Sequence, residues 1–347
     1  MVITTTLWKY LAVAEDQPLN PDCASSPADW IRERLSAPEK SVVTSWVPGG
    51  FDAYVRILHP VQMPRGDDPL VRWDDVSKWS GVTLHPHVQW HEVALPEVDT
   101  PNDPPWRGQG PHRGSLYLPD AEALVEDLAR YTPRSQECYF CVWCGWGGGV
   151  TLKPPSGSGT LALARRPSPT SVVELPWREY ELFEGPLTGA LGFEQSVGNS
   201  YQSPNLWWPT DRSWCVASEI DLPWTYVGGS KELIDQLLAD GRLETVGAAP
   251  EDSLWREFPA WLLERIKAAA EEVVLAGSTV LTLAAGTVEV SLEPLGKRGR
   301  AHLVARSTRA SGGWAGGTSP VNTRRSDELR RDVRTELHRA VRALVEV

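Results

Sequence analysis

Cys138, Cys141 and Cys144 recur at every third position of the run Cys-Tyr-Phe-Cys-Val-Trp-Cys. Closely spaced thiolates are what a tetrahedral zinc ion collects, because short spacing brings two sulfurs to one metal. Such pairs sit on turns. This run follows Pro133 and precedes Gly145, is too short for a helix, and reads as a buried strand. Side chains alternate faces along a strand, so Cys138 and Cys144 point one way and Cys141 the other. One ion cannot gather all three, and nothing selects a fourth ligand among Cys23, Cys215 and the histidines. Three small buried hydrophobes are the preferred reading, with zinc and a reactive thiol as the alternatives.

His85, His87 and His91, with Glu92 beside them, form the second group of metal-capable residues. An alternating His85/His87 pair on a strand could share a metal. HExxH and the HxE…PCxxC of zinc deaminases are both absent, and histidines in a Pro-containing loop are more simply solvated or hydrogen-bonded. Gly145-Trp146-Gly147-Gly148-Gly149 follows a strand, as phosphate loops do. It leads, however, into Thr151-Leu152-Lys153-Pro154-Pro155, which cannot start the helix whose amides would hold an anion. The sequence contains no GxxxxGK[ST] and no GxSxG, and no cofactor is expected.

The densest group of recognition-type residues is Ser203–Asp221, SPNLWWPTDRSWCVASEID. Trp207, Trp208 and Trp214 lie close to Asp211 and Arg212 at a turn between two strands. Tryptophan and arginine dominate binding hot spots because they are large and can stack. These five residues are the candidate binding site. The competing reading makes Trp214 core and the Asp211–Arg212 turn structural. Lys297, Arg298, Arg300, Arg306 and Arg309 give the last part a basic stripe, without the aromatic platform of an RNA-binding surface.

The elements that position these residues follow from periodicity. Pro27–Ala37 reads as a short helix and Trp73–Trp79 as one or two helical turns. Pro119–Tyr131 reads as a longer helix, with Asp120 as its cap and Leu124, Val125 and Leu128 on its buried face. Ser41–Val47, Pro48-Gly49-Gly50 and Phe51–Leu58 read as a hairpin, and Pro96–Pro111 as loop. Further strands are expected at Leu161–Arg165, Ser171–Leu175, Tyr180–Phe183 and Trp214–Ile220, and Ser230 caps a helix through Leu238. The last hundred residues read as helix (Phe258–Ala276), three strands (Thr279–Ala284, Thr287–Leu292, Ala301–Ser307), a Gly/Ser loop containing Trp314, and a helix from Ser326. That last helix carries the stripe Leu329, Val333, Leu337, Val341 and Leu344, read as core packing, with a homodimer contact as the alternative. The expected fold class is α+β: a mostly antiparallel sheet with flanking helices in a domain of residues 1–249, and a smaller helix–three-stranded sheet–helix domain of residues 250–347.

Composition narrows the function. The chain has 347 residues, 17 Trp against 5 Phe, and a net charge of −11. Residues 1–249 hold 19 basic and 32 acidic side chains and residues 250–347 hold 15 and 13, a step that helps place the domain boundary. The acidic balance argues against DNA or general nucleic-acid binding. Met1–Ala14 lacks a basic start, and no apolar run reaches the roughly 18–20 residues of a membrane span. Five cysteines, three of them crowded together, do not make a secreted disulfide framework, so a cytoplasmic location is expected.

VPGGFDAYVRILHP (Val47–Pro60) and SPNLWWPTDRSWCVASEIDLPWTYVGGS (Ser203–Ser230) resemble stretches of uncharacterised proteins widespread in actinobacteria. The resemblance covers about Ser41–Leu243, patchily, and excludes the last hundred residues. It implies a bacterial, intracellular setting and carries over no activity, cofactor or site.

Three readings of function stay open. The preferred one is a non-catalytic binding protein that captures a protein partner, of which an immunity- or defence-associated component is one form. The second is an enzyme with an active site assembled from scattered residues, metal-dependent if the cysteines or histidines serve it. The third is a carbohydrate or small-ligand binder using the Trp patch.

Overall fold

Short apolar runs punctuated by Gly, Pro and Asn become strands, and longer amphipathic runs become helices, in a computed structural model. It describes residues 19–21, 23–61, 70–97, 104–106, 110–133, 137–146, 150–152, 170–195, 201–294, 300–309, 314–323 and 326–345. In chain order the elements are α1 (Asp29–Arg34), β1 (Ala53–Leu58), α2 (Trp73–Ser80), α3 (Trp90–Ala94), α4 (Leu118–Leu128), β2 (Cys138–Trp143), β3 (Val150–Leu152), β4 (Val172–Glu174), β5 (Glu179–Gly185), β6 (Phe193–Gln195) and β7 (Leu206–Pro209). They continue with β8 (Cys215–Ser218), β9 (Trp224–Gly229), α5 (Lys231–Ala239), β10 (Thr245–Ala248), α6 (Ala260–Ala276), β11 (Ser278–Leu283), β12 (Gly286–Pro294), β13 (Arg300–Arg309), β14 (Trp314–Asn322) and α7 (Ser326–Val345). The fold is α+β. The expected Met1–Ala14 segment and Leu161–Arg165 strand lie outside the described residues, as does most of the Gly145–Gly159 loop. Among the described residues no helix is long and apolar enough to cross a membrane.

The chain forms two compact units, Met1–His59 with His112–Leu254, and Pro60–Pro111 with Trp255–Val347. One change of unit falls at Leu254–Trp255. The first unit, however, is interrupted by a segment that groups with the last hundred residues. A charge step along the sequence reports composition; it could not reveal that His91 packs edge-on to Phe258 at 4.9 Å, or that Arg256 pairs with Glu92 at 3.4 Å.

In the first unit eight strands lie in the order β10-β1-β9-β8-β7-β2-β5-β4, all paired antiparallel. Alternation sends Val55, Ile57, Phe140, Val142, Phe183, Trp207, Val216 and Val227 into one core with Leu124, Val125 and Leu128 of α4 and Leu233, Ile234 and Leu237 of α5. Ser230 caps α5 as its position predicts, its hydroxyl accepting from Leu233 N at 3.2 Å. Asp120 does not cap α4. Pro119 fits the first turn without an N–H, so Tyr117 takes the cap position and Asp120 is buried inside the helix.

The expected Ser41–Val47 strand is instead a pair of 3-10 turns, Pro38–Lys40 and Val43–Ser45. Val43 N and Thr44 N donate to the Asp252 and Pro250 carbonyls, which satisfies the β-branched segment without a ladder. The partners of β1 are accordingly β9 and β10.

His59 closes the first unit where its chain is interrupted. Its Nδ1 is 2.8 Å from the His112 carbonyl, and its Nε2 is 2.8 Å from Thr225 Oγ1, itself 2.6 Å from Ser218 Oγ. A carbonyl can only accept, so Nδ1 donates, Nε2 accepts from Thr225, and Thr225 accepts from Ser218. All three side chains are buried.

In the second unit the sheet order is β11-β12-β13-β14, one strand more than expected. The Gly/Ser segment read as a loop is the edge strand β14. Its sequence, Trp-Ala-Gly-Gly-Thr-Ser-Pro-Val-Asn, lacks apolar alternation, and an edge position tolerates Pro320. Leu329, Val333, Leu337, Val341 and Leu344 of α7 are all buried within this unit, so the stripe is core and is not a free dimer face.

Candidate functional site

Consecutive strand residues face opposite sides of a sheet, and Trp207 and Trp208 divide in this way. Trp207 joins the core under α4 and α5 beside Trp214, whose indole N–H donates to Thr132 Oγ1 at 2.9 Å. Trp208 faces the other side, against Trp30 of α1 and Tyr139 of β2. All three predicted indoles are buried, at no more than 1% exposed. They pack the fold and offer no contact face.

What the region presents outward is the β7–β8 turn. Thr210 N and Oγ1 donate to the Glu137 carbonyl, and Asp211 Oδ1 accepts from Ser213 N at 2.9 Å. Arg212 N donates to the Pro209 carbonyl, and Arg212 takes a left-handed backbone (φ 59°) that non-glycine residues seldom adopt. Its guanidinium lies 5.6 Å from the centroid of the Trp30 ring, and that of Arg34 lies 5.5 Å from the same ring. Trp30 and Arg34 are four residues apart on α1, which stacks them on one face. Asp211, Arg212 and Arg34 are exposed. Among the described residues neither arginine has a carboxylate partner, and the enclosed Trp30 Nε1–H has no acceptor. Trp30 and Arg34 were not among the sequence candidates, although their i, i+4 spacing carries the signal.

At the opposite end of the same sheet another arginine lies over a tryptophan: Arg178 is 5.0 Å from the Trp143 centroid. This guanidinium is paired. It donates from Nε to Glu219 Oε1 at 2.9 Å, from Nη2 to the same oxygen, and from Nη2 to Asp221 at 2.8 Å. Glu219 is buried. Burial pushes its carboxyl up, and Arg178 pulls it part of the way back. Beside this cluster Trp177, 45% exposed, stacks on Trp46 at 5.0 Å and 17°.

A third charged group joins α4 to the end of α5. Asp127 is fully buried; its Oδ1 meets Arg130 at 3.0 Å and Gln236 at 3.4 Å, whereas its Oδ2 has no donor. Arg242 favours Asp240, at 2.6 Å, over Asp127, at 3.9 Å. Burial, reinforced by Asp240, pushes the Asp127 carboxyl up to about 6, while the hydrogen bonds from Arg242 hold Asp240 low. A protonated Asp127 supplies the donor that the pair lacks.

The metal alternatives do not assemble. Cys138 and Cys141 are buried on opposite faces of β2, as alternation requires, and burial pushes both thiols up. Cys144 is exposed as a residue but its thiol is partly enclosed, and that desolvation together with Glu181 and Glu179 raises it to about 11. Thiols so raised are protonated at neutral pH and are poor nucleophiles. His91 is buried in the second unit and pushed down to about 4 by burial. His85 Nδ1 accepts from His87 N at 3.3 Å, and its Nε2 lies 3.7 Å from Glu92. Among the described residues no group of three or more His, Cys, Asp or Glu converges on a metal position.

The basic stripe is also divided. Arg309 donates to the Ala343 carbonyl at 3.1 Å near the C-terminal end of α7, while exposed Arg306 sits beside Glu289 on the adjacent strand. Arg300 begins β13, and Lys297 and Arg298 lie outside the described residues. Comparison with protein families, curated proteins and solved structures found no match.

Proposed function

We propose that this is a non-catalytic binding protein that holds a protein partner through the β7–β8 turn, with Arg34, Asp211 and Arg212 around Trp30 as the contact residues. The observation that carries the reading is the pair of exposed guanidiniums over one indole, neither of them in an ion pair among the described residues. By contrast, the guanidinium of Arg178 is tied within the fold to Glu219 and Asp221. Arginine backed by a rigid aromatic is a composition that concentrates binding energy. Five free cysteines fit a cytoplasmic setting for this activity. The test is a photo-crosslinking residue placed at Asp211 and, as control, at exposed Asp235 on α5. The proposal expects a discrete crosslinked protein from position 211 alone; equal labelling from both positions would reject it.

One observation favours a second reading, the binding of a small ring-shaped ligand: exposed Trp177 stacked on half-buried Trp46. Loss of oligosaccharide-induced fluorescence change on Trp177→Ala would support it, and an absence of any change in the unsubstituted protein would remove it.

A further inference from the structure

Resting on the binding reading of the β7–β8 turn, we infer that the group recognised by Arg34 and Arg212 is anionic: the side-chain carboxylates of an acidic protein segment. Each guanidinium carries five donors and no acceptor, arranged in a fork that matches a carboxylate or a phosphate. The two are held to one ring, and neither meets a carboxylate among the described residues. The shortage is local. Residues 1–249 hold 32 acidic side chains, yet none of them is within ion-pair distance of either guanidinium among the described residues. Asp211 uses Oδ1 on Ser213 N, and the Glu137 carboxyl, raised first by burial, faces Glu184.

The backbone points the same way. Arg212 keeps its left-handed conformation at a turn where glycine would sit without strain, and that conformation brings its side chain over Trp30. Two like charges assembled on one indole, with donors to spare, are complemented by an acceptor of opposite charge. A short acidic segment is favoured over an extended polyanion because the positive spot is only two guanidiniums wide, while the surrounding chain, of net charge −11, repels a long run of negative charge. A short carboxylate-bearing strand or loop needs only this local positive spot.

Calorimetric titration of the full chain tests the inference with three probes: a short peptide of alternating Asp and Glu, inorganic phosphate, and oligothymidylate. The peptide is expected to bind, and to weaken about tenfold or more on Arg34→Ala or Arg212→Ala. Arg212→Lys retains part of the affinity, and binding declines as salt rises from about 0.05 to about 0.5 M. Arg212→Gly keeps the turn and loses the affinity, which separates recognition from folding. Peptide binding that ignores both arginines would overturn the inference. So would tighter binding of oligothymidylate, or binding of phosphate without the peptide. If no probe binds while the Asp211 crosslink persists, the anionic chemistry falls and the binding surface stands; if the crosslink is also absent, both fall.

Discussion

The large sheet carries an arginine over a tryptophan at each end, and the two ends are built differently. At the Trp143 end, Arg178 is half-enclosed and bound to buried Glu219 and to Asp221. At the Trp30 end, Arg34 and Arg212 lie over the ring in the open, with no carboxylate partner among the described residues. The same residue types are thus paired at one end and unpaired at the other. A guanidinium whose donors are used within the fold holds strands together, and one whose donors are unused is available to another molecule. Burial and pairing separate the two cases where residue type cannot.

The largest expected effect is at the paired end. Arg178→Ala leaves Glu219 buried without its counter-charge and should cost about 3 kcal/mol in urea unfolding at pH 8. The loss should shrink as pH falls and Glu219 takes up a proton. An equally small loss for Arg178→Ala and Arg212→Ala would erase the distinction.

Asp127 is an intermediate case, a buried carboxylate that is partly partnered. Its folded pKa lies above the unfolded value, so its contribution is complete below about pH 4 and is lost as pH rises through about 6. Asp240 behaves oppositely: its contribution is present above the ordinary aspartate pKa and is lost in strong acid. Asp127→Asn supplies a permanent donor toward Asp240. The variant should be about 1–2 kcal/mol more stable than the parent at pH 8 and no more stable at pH 4. A pH profile parallel to that of the parent would show that Asp127 is not the protonated partner.

The smallest effect on stability belongs to the open end. Arg34→Ala should change stability by less than about 1 kcal/mol, the worth of an exposed cation–π contact. Arg212→Gly should be near neutral, because relief of the left-handed backbone offsets the lost contact. A loss of several kcal/mol at either position would make these arginines part of the folding machinery.

Much of this architecture is legible in the sequence because it rests on periodicity. The α7 stripe, the β2 alternation that separates Cys138 from Cys141, and the Ser230 cap all follow from local rules. Two of the errors share a physical source: long-range partners decided the outcome. Ser41–Val47 turned into 3-10 structure because carbonyls some two hundred residues away took its donors. The fourth strand pairs along β13 without an apolar pattern of its own, and Pro60–Pro111 grouped with a distant segment. At the candidate site Asp211 and Arg212 are at the surface as expected. The three indoles beside them are interior, because alternation in β7 buries Trp207 under the helices and Trp208 against Trp30. The partner residues Trp30 and Arg34 lie far away in sequence, and only folding joins them to the turn.

The most direct test of the distinction between the two ends is to follow the arginine Nε–H resonances of Arg34, Arg212 and Arg178 by NMR during titration with the acidic peptide. The account predicts that Arg34 and Arg212 shift together with saturable dependence on peptide while Arg178 stays fixed. Movement of Arg178 with Arg34 and Arg212 unmoved would contradict it.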